Sequence, residues 1–156
     1  MKKLVSILSA FVATVIFAAN SFAASHTFHV SLDGLQEVPP NASPAFGSAT
    51  VLVDDVAHTA TVDLSFSGLL GTQTAAHIHG PAAPGVNGPV LIGFPIGSFV
   101  GMVFPTTPTI ESHMFSGLTY INVHSTVFPG GEIRGQLQAP VSVDGSSWGG
   151  IKNLYR

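Results

Sequence analysis

Thr59-Ala60-Thr61-Val62-Asp63-Leu64-Ser65-Phe66 decides the fold of this chain. Ala60, Val62, Leu64 and Phe66 alternate with Thr59, Thr61, Asp63 and Ser65. That period of two sends apolar side chains to one face of a strand and polar ones to the other. The rhythm recurs in Phe28, Val30 and Leu32, set against Thr27, His29 and Ser31, and again in Ala49, Val51 and Val53. Residues 75–79, 89–94, 118–124 and 132–138 are further candidate strands. Seventeen glycines and eleven prolines punctuate the gaps, and no segment carries a convincing 3.6-residue period. Seven or eight short strands joined by turns predict an all-β fold, an antiparallel Greek-key sandwich or barrel. Two connections stand out: residues 80–88 (GPAAPGVNG) and the longer, apolar, Pro-rich stretch 93–116. Asp54-Asp55 reads as a hairpin turn, with too few neighbouring oxygens for calcium.

Residues 1–23 read as a secretory signal peptide. Lys2 and Lys3 form a basic start, residues 4–19 are almost wholly apolar, and Ser21-Phe22-Ala23 places small residues at a cleavage site. The apolar run is short for a spanning helix, and nothing else in the chain reaches spanning length. One domain is expected over 24–140, followed by a tail, 141–156, whose Trp148 and Tyr155 either dock on the body or leave it free. A periplasmic or secreted location follows from the signal. The chain has no cysteine, so burial rather than disulfides must stabilise about 130 mature residues. Without Lys2 and Lys3, three basic residues face eight acidic ones, a net charge of −5. Nucleic acid is a poor partner for such a chain, because phosphate binding needs a basic patch.

His77-Ile78-His79 and His124 carry the clearest chemistry. On a strand, His77 and His79 project together, and a histidine from a neighbouring strand completes a three-nitrogen site suited to copper or zinc. Parity turns Ala76, Ile78, Ile121, Val123, Ile133 and Leu137 inward. His77, His79, Tyr120, Asn122, His124, Glu132, Arg134 and Gln136 then face outward. If these strands are neighbours, Asn122, Glu132 and Arg134 surround and support the three ligands beneath the 80–88 connection. The bland alternative is a hydrogen-bonded histidine cluster that pins two strands, since neutral imidazole both donates and accepts. For Glu132 and Arg134 the favoured reading is structural, an ion pair of residues two apart on one strand face, contributing about 0–1 kcal/mol if exposed. Glu37-Val38-Pro39-Pro40 reads as a strand exit into a rigid turn. Cleavage after Ala23 would leave Ala24-Ser25-His26 at the terminus, a sequence able to wrap Cu(II) in a square plane.

No nucleophile–base–acid set, phosphate loop or paired catalytic carboxylates can be read in the chain. No catalytic residue is assigned, and the balance is against an enzyme.

Several motifs occur in order: Leu35-Gln36-Glu37-Val38-Pro39-Pro40, Ala75-Ala76-His77-Ile78-His79-Gly80-Pro81-Ala82, Gly88-Pro89-Val90, Tyr120-Ile121-Asn122-Val123-His124-Ser125 and Pro129-Gly130-Gly131-Glu132-Ile133-Arg134-Gly135-Gln136-Leu137. Together they resemble the CHRD domain, the module named from chordin and found singly in exported bacterial proteins. The resemblance runs from about Phe28 to Leu137. Ser125 stands where the family often has Thr, and residues 96–115 carry no family signature, so His113 inherits no role. In chordin the domain belongs to an extracellular antagonist of growth factors, a role that does not transfer to a solitary domain. The histidine pattern also resembles, at the level of fold, copper-zinc superoxide dismutase. His77, His79 and His124 would then stand for copper ligands and Arg134 for the arginine that guides the anion. A bridging histidine, a zinc-ligand loop and the disulfide cysteines are missing, and fold analogy carries little functional weight.

Two function classes follow. One is an exported protein that holds copper or zinc through His77, His79 and His124. The other is a non-catalytic extracellular interaction or adhesion module. Its apolar 93–104 stretch would meet an extracellular or periplasmic protein, or a second copy.

Overall fold

The computed structural model describes residues 25–138. The signal peptide, its cleavage site and the 141–156 tail lie outside the described residues. Eight strands make the fold: β1 (Ser25–Asp33), β2 (Phe46–Asp54), β3 (Thr59–Ser67), β4 (Gln73–His79), β5 (Val90–Phe94), β6 (Phe99–Pro105), β7 (Tyr120–Ser125) and β8 (Ile133–Gln136). A 3-10 turn, Gly34–Gln36, follows β1, and one helix, α1 (Pro108–Phe115), precedes β7.

The strands form one antiparallel sheet in the order β5-β4-β7-β8-β1-β2-β3-β6. The sheet curls into a nearly closed barrel. Its two end strands, β5 and β6, are consecutive in the chain, and the rings of Phe94, Phe99 and Phe104 pack at 4.9–6.0 Å between them. β4, β5 and β6 follow one another, and β7 then returns beside β4, which is Greek-key connectivity.

The alternating pattern decides what the barrel encloses. Phe28 of β1 lies opposite Val51 of β2, which lies opposite Val62 of β3; Val30, Ala49 and Leu64 form the next row. All six are buried, as are Ala76, Ile78, Ile121, Val123, Ile133 and Leu137 from the remaining strands. Each fully buried Val, Leu, Ile or Phe contributes about 1.5–3 kcal/mol relative to exposure, which is how a chain without disulfides is held.

Residues 93–116 are not the single long connection expected from sequence. They contain the end of β5, all of β6 and α1. Thr107 caps α1 by accepting from the Ile110 N–H, with Pro108 in the first turn. Met114 is the apolar side chain that α1 buries completely. Glu111 anchors the helix to the β2–β3 hairpin. It accepts from the Thr106 hydroxyl at 2.5 Å and meets His58 Nδ1 at 3.1 Å. In that hairpin Asp54 Oδ1 accepts from the Val56 and Ala57 N–H groups, the turn expected at Asp54-Asp55. His26 belongs to β1, opposite Val53, with its ring 4.5 Å from that of Phe115. Among the described residues no helix is long and apolar enough to cross a membrane.

Candidate metal centre

β4 and β7 are hydrogen-bonded neighbours, and β8 lies on the far side of β7. Two outward-facing rows cross these strands in register: His77–Asn122–Arg134 and His79–Tyr120–Gln136. His124 stands opposite Ala75, one step along the same face from Asn122. The small Ala75 methyl leaves the His124 ring free to lean diagonally toward His77, which closely spaced antiparallel strands permit.

The ligand-capable atoms of His77, His79 and His124 all lie within 4.8 Å of one another. An ion with Zn–N bonds near 2.0–2.1 Å spaces its nitrogens roughly 3.3–3.6 Å apart, so small ring rotations bring the set to bonding distance. Backbone carbonyls fix two of the three rings. His79 Nδ1 donates to the Gly88 carbonyl at 3.0 Å, and His124 Nδ1 donates to the Pro129 carbonyl at 3.0 Å. A proton committed to Nδ1 leaves Nε2 with its lone pair, the arrangement that prepares an imidazole for a metal. His77 Nδ1 then donates to His124 Nε2 at 3.2 Å. His79 Nε2 is buried and has no partner.

Burial pushes all three imidazoles below their ordinary value. For His79, the other two histidines and Arg134 add to that effect against the Gly88 hydrogen bond. For His124, His77 adds to it against the Pro129 bond. The cluster is therefore neutral at pH 7, the state in which histidine binds metal. His79 and His124 are buried and His77 is half-buried, so the opening lies on the His77 side. There β5 presents only Gly93 opposite His77.

The supporting residues divide by what they touch. His79 stacks on Tyr120 with ring centroids 4.9 Å apart, and the Arg134 guanidinium lies over that same ring. Arg134 donates to the Val86 and Ala83 carbonyls and to Gln136 Oε1. Gln136 donates to the carbonyls of Ala82 and Gly117, and Gly88 N donates to the Tyr120 hydroxyl. These bonds bind the 80–88 connection down over the face that strand parity had turned outward. Tyr120, Arg134 and Gln136 are consequently buried, and Asn122 and Glu132 are buried beneath other connections.

Two expectations from sequence are corrected here. Glu132 and Arg134 do not form an exposed ion pair. Glu132 accepts from the Ser43 hydroxyl and the Leu70 N–H, which belong to connections outside the strands that carry the histidines. Burial opposes its charge, but the Ser125 hydroxyl, the Leu70 N–H and the Ser43 hydroxyl outweigh that and hold its carboxyl below the ordinary value. Nor is Arg134 placed to guide an anion, since it is 1% exposed and directed at carbonyls.

Sequence reasoning missed Glu37, which is buried and accepts from Asn122 Nδ2. It treated the Glu37–Pro40 run as a turn alone. The available signal was an acidic residue directly before Val38-Pro39-Pro40 in a chain very poor in charge.

Among solved structures none matches this chain. The family model for the CHRD domain matches residues 28–137, from the middle of β1 to the end of β8. The matched span takes in most of β1, all of the other seven strands and all three histidines, and the chain belongs to the CHRD domain family.

Proposed function

We propose that this CHRD protein is an exported metal-binding protein that holds one copper or zinc ion through His77, His79 and His124. One observation carries the reading: His79 Nε2 is buried and unpartnered in a group of three histidines whose ligand-capable atoms lie within 4.8 Å of one another. A cluster serving only to pin strands would satisfy that atom, because a buried acceptor without a donor costs about 1–3 kcal/mol. A metal satisfies it and uses the lone pair on His124 as well. His77 joins by moving its proton to Nε2, which breaks the bond to His124 and frees Nδ1. Three nitrogens with one open side leave a position for water or another ligand, as nitrogen-rich copper and zinc sites do. The signal-like residues 1–23 support export.

The test is the metal content of untagged protein from the periplasm, beside a His77→Ala/His124→Ala double mutant. About one copper or zinc per chain, lost in a double mutant that stays folded, supports the site. No bound metal after loading with Cu(II) and Zn(II) overturns it.

The second reading, a binding module, is favoured by β6, an uncharged end strand on which Val100 is 84% and Val103 61% exposed. Concentration-dependent sedimentation, or a retained extracellular protein that Val100→Asp/Val103→Asp releases, would support it.

A further inference from the structure

Two buried acceptors near the histidines have no donor: Glu37 Oε1 and Asn122 Oδ1. Both lie against Gly131. A Cβ built there would meet Asn122 Oδ1 and Nδ2 at 2.5 Å and Glu37 Oε1 at 2.6 Å. The other two atoms of the pair are already bonded, Asn122 Nδ2 donating to Glu37 Oε2 at 3.4 Å. A carboxylate offers only acceptors, and a carboxamide has one oxygen and one NH2. Turning the Asn122 amide over changes which oxygen is bonded but still leaves an amide oxygen facing a carboxylate oxygen. One added proton resolves both orphans: Glu37 Oε1–H donates to Asn122 Oδ1 while Asn122 Nδ2–H donates to Glu37 Oε2.

We propose that Glu37 keeps its proton in the folded protein under mildly acidic conditions and there closes this two-bond acid–amide pair. We assign it the role of a positioning residue, which steadies the turn whose Pro129 carbonyl orients His124. The second half rests on the metal reading given above. The path is short. Asn122 and His124 are two residues apart on β7, and Gly131 packs on the Glu37–Asn122 pair. Gly131 N donates to the Phe128 carbonyl, which closes the turn that contains Pro129.

The surroundings agree. Burial raises the Glu37 carboxyl from 4.5 to about 7, with Arg134, Asn122 and the Val38 N–H opposing. Arg134 from β8 is the charged group that acts on it, β7 contributes the neutral Asn122, and the 128–131 turn contributes backbone. No ion pair forms with Arg134, the contact of His58 with Glu111 being the single one among the described residues. A folded value above the unfolded one gives stability that is full below pH 4.5 and is lost as pH rises through about 7.

Glu37→Gln is the decisive variant, because a glutamine amide makes both bonds with Asn122 and never titrates. Metal-free parent and Glu37→Gln proteins are unfolded in urea from pH 4.5 to 8.5, so that the histidines cancel in the difference. Zn(II) affinity is measured at pH 6.5 for both and for Glu37→Ala. Glu37→Gln is expected to gain on the parent as pH rises to about 7. It should keep Zn(II) affinity within about twofold, while Glu37→Ala loses roughly tenfold or more. Carbon-13 NMR of the Glu37 carboxyl should show a midpoint near neutrality. A midpoint near 4.5, or a Glu37→Gln protein that tracks the parent at every pH, overturns the pair. Equal Zn(II) loss in Glu37→Gln and Glu37→Ala overturns the positioning role. A parent that binds no Zn(II) overturns that role together with the metal reading, and the carboxyl midpoint then decides the pair alone.

Discussion

The guanidinium carbon of Arg134 lies 3.6 Å from the centroid of the Tyr120 ring. That contact and the carbonyl bonds of Arg134 join the 80–88 connection to the strand face bearing the histidines. Arg134→Ala leaves two carbonyls and the Gln136 oxygen without their donor. It is expected to cost about 3 kcal/mol in urea unfolding, mostly from those orphaned groups. It should also weaken Zn(II) binding, because Gly88 is part of the connection that Arg134 holds. A variant with full stability and full affinity would show that the clamp is dispensable.

Acid acts on the same cluster through the histidines. Their folded values lie below the ordinary 6.5, so they contribute stability that is full above that value and lost as pH falls through the lowered folded values. The metal-free protein should therefore lose urea stability below pH 6.5, and His124→Ala should flatten that dependence. Zn(II) should be retained at pH 6.5 and released on further acidification. Release already complete at pH 7 would contradict neutral, prepared imidazoles.

Metal binding should report itself as folding energy. At a free concentration about 100 times Kd, a ligand that binds only the folded state stabilises it by about 2.7 kcal/mol. Zn(II) or Cu(II) should raise the parent's unfolding midpoint accordingly and leave the His77→Ala/His124→Ala midpoint unmoved. Equal shifts in the two proteins would place the ion elsewhere, for instance at the Ala24-Ser25-His26 terminus that cleavage after Ala23 would leave.

Gly131 has φ +134°, and an added methyl there would meet Asn122 and Glu37 at 2.5–2.6 Å. Gly131→Ala is expected to destabilise the fold by about 2 kcal/mol or more. Gly130→Ala, where a Cβ meets open space, serves as the control. Calorimetry showing the two variants equal would mean that the turn relaxes around the methyl.

Seven of the eight strands are legible because apolar and polar side chains alternate along them, a pattern that persists even in β7 and β8, where both faces are buried. β6 is not legible, since its residues are exposed on both sides at the open end of the sheet and carry no alternation. α1 hides for a related reason: eight residues bury only Glu111 and Met114, too few to display a helical period, although Thr107-Pro108 is a start signal in retrospect. His77 and His79 share a face by parity alone. That β7 lies beside β4 is a matter of topology, which no local pattern states. Glu37 was read as a turn residue because its partner Asn122 is 85 positions away. Parity put Glu132 and Arg134 on one face, but their partners come from separate connections that only the folded chain brings near.

The two groups that orient His79 and His124 are main-chain carbonyls, those of Gly88 and Pro129. A side-chain acceptor can be lost by one codon change, whereas a carbonyl is present whatever residue occupies the position. The tautomers of the cluster are consequently written into the path of two loops rather than into the chemistry of two residues. Replacing the residue at position 88 or 129 does not by itself remove them, but a one-residue insertion or deletion in either loop is expected to. Length, more than composition, is the property of these loops on which the histidines depend.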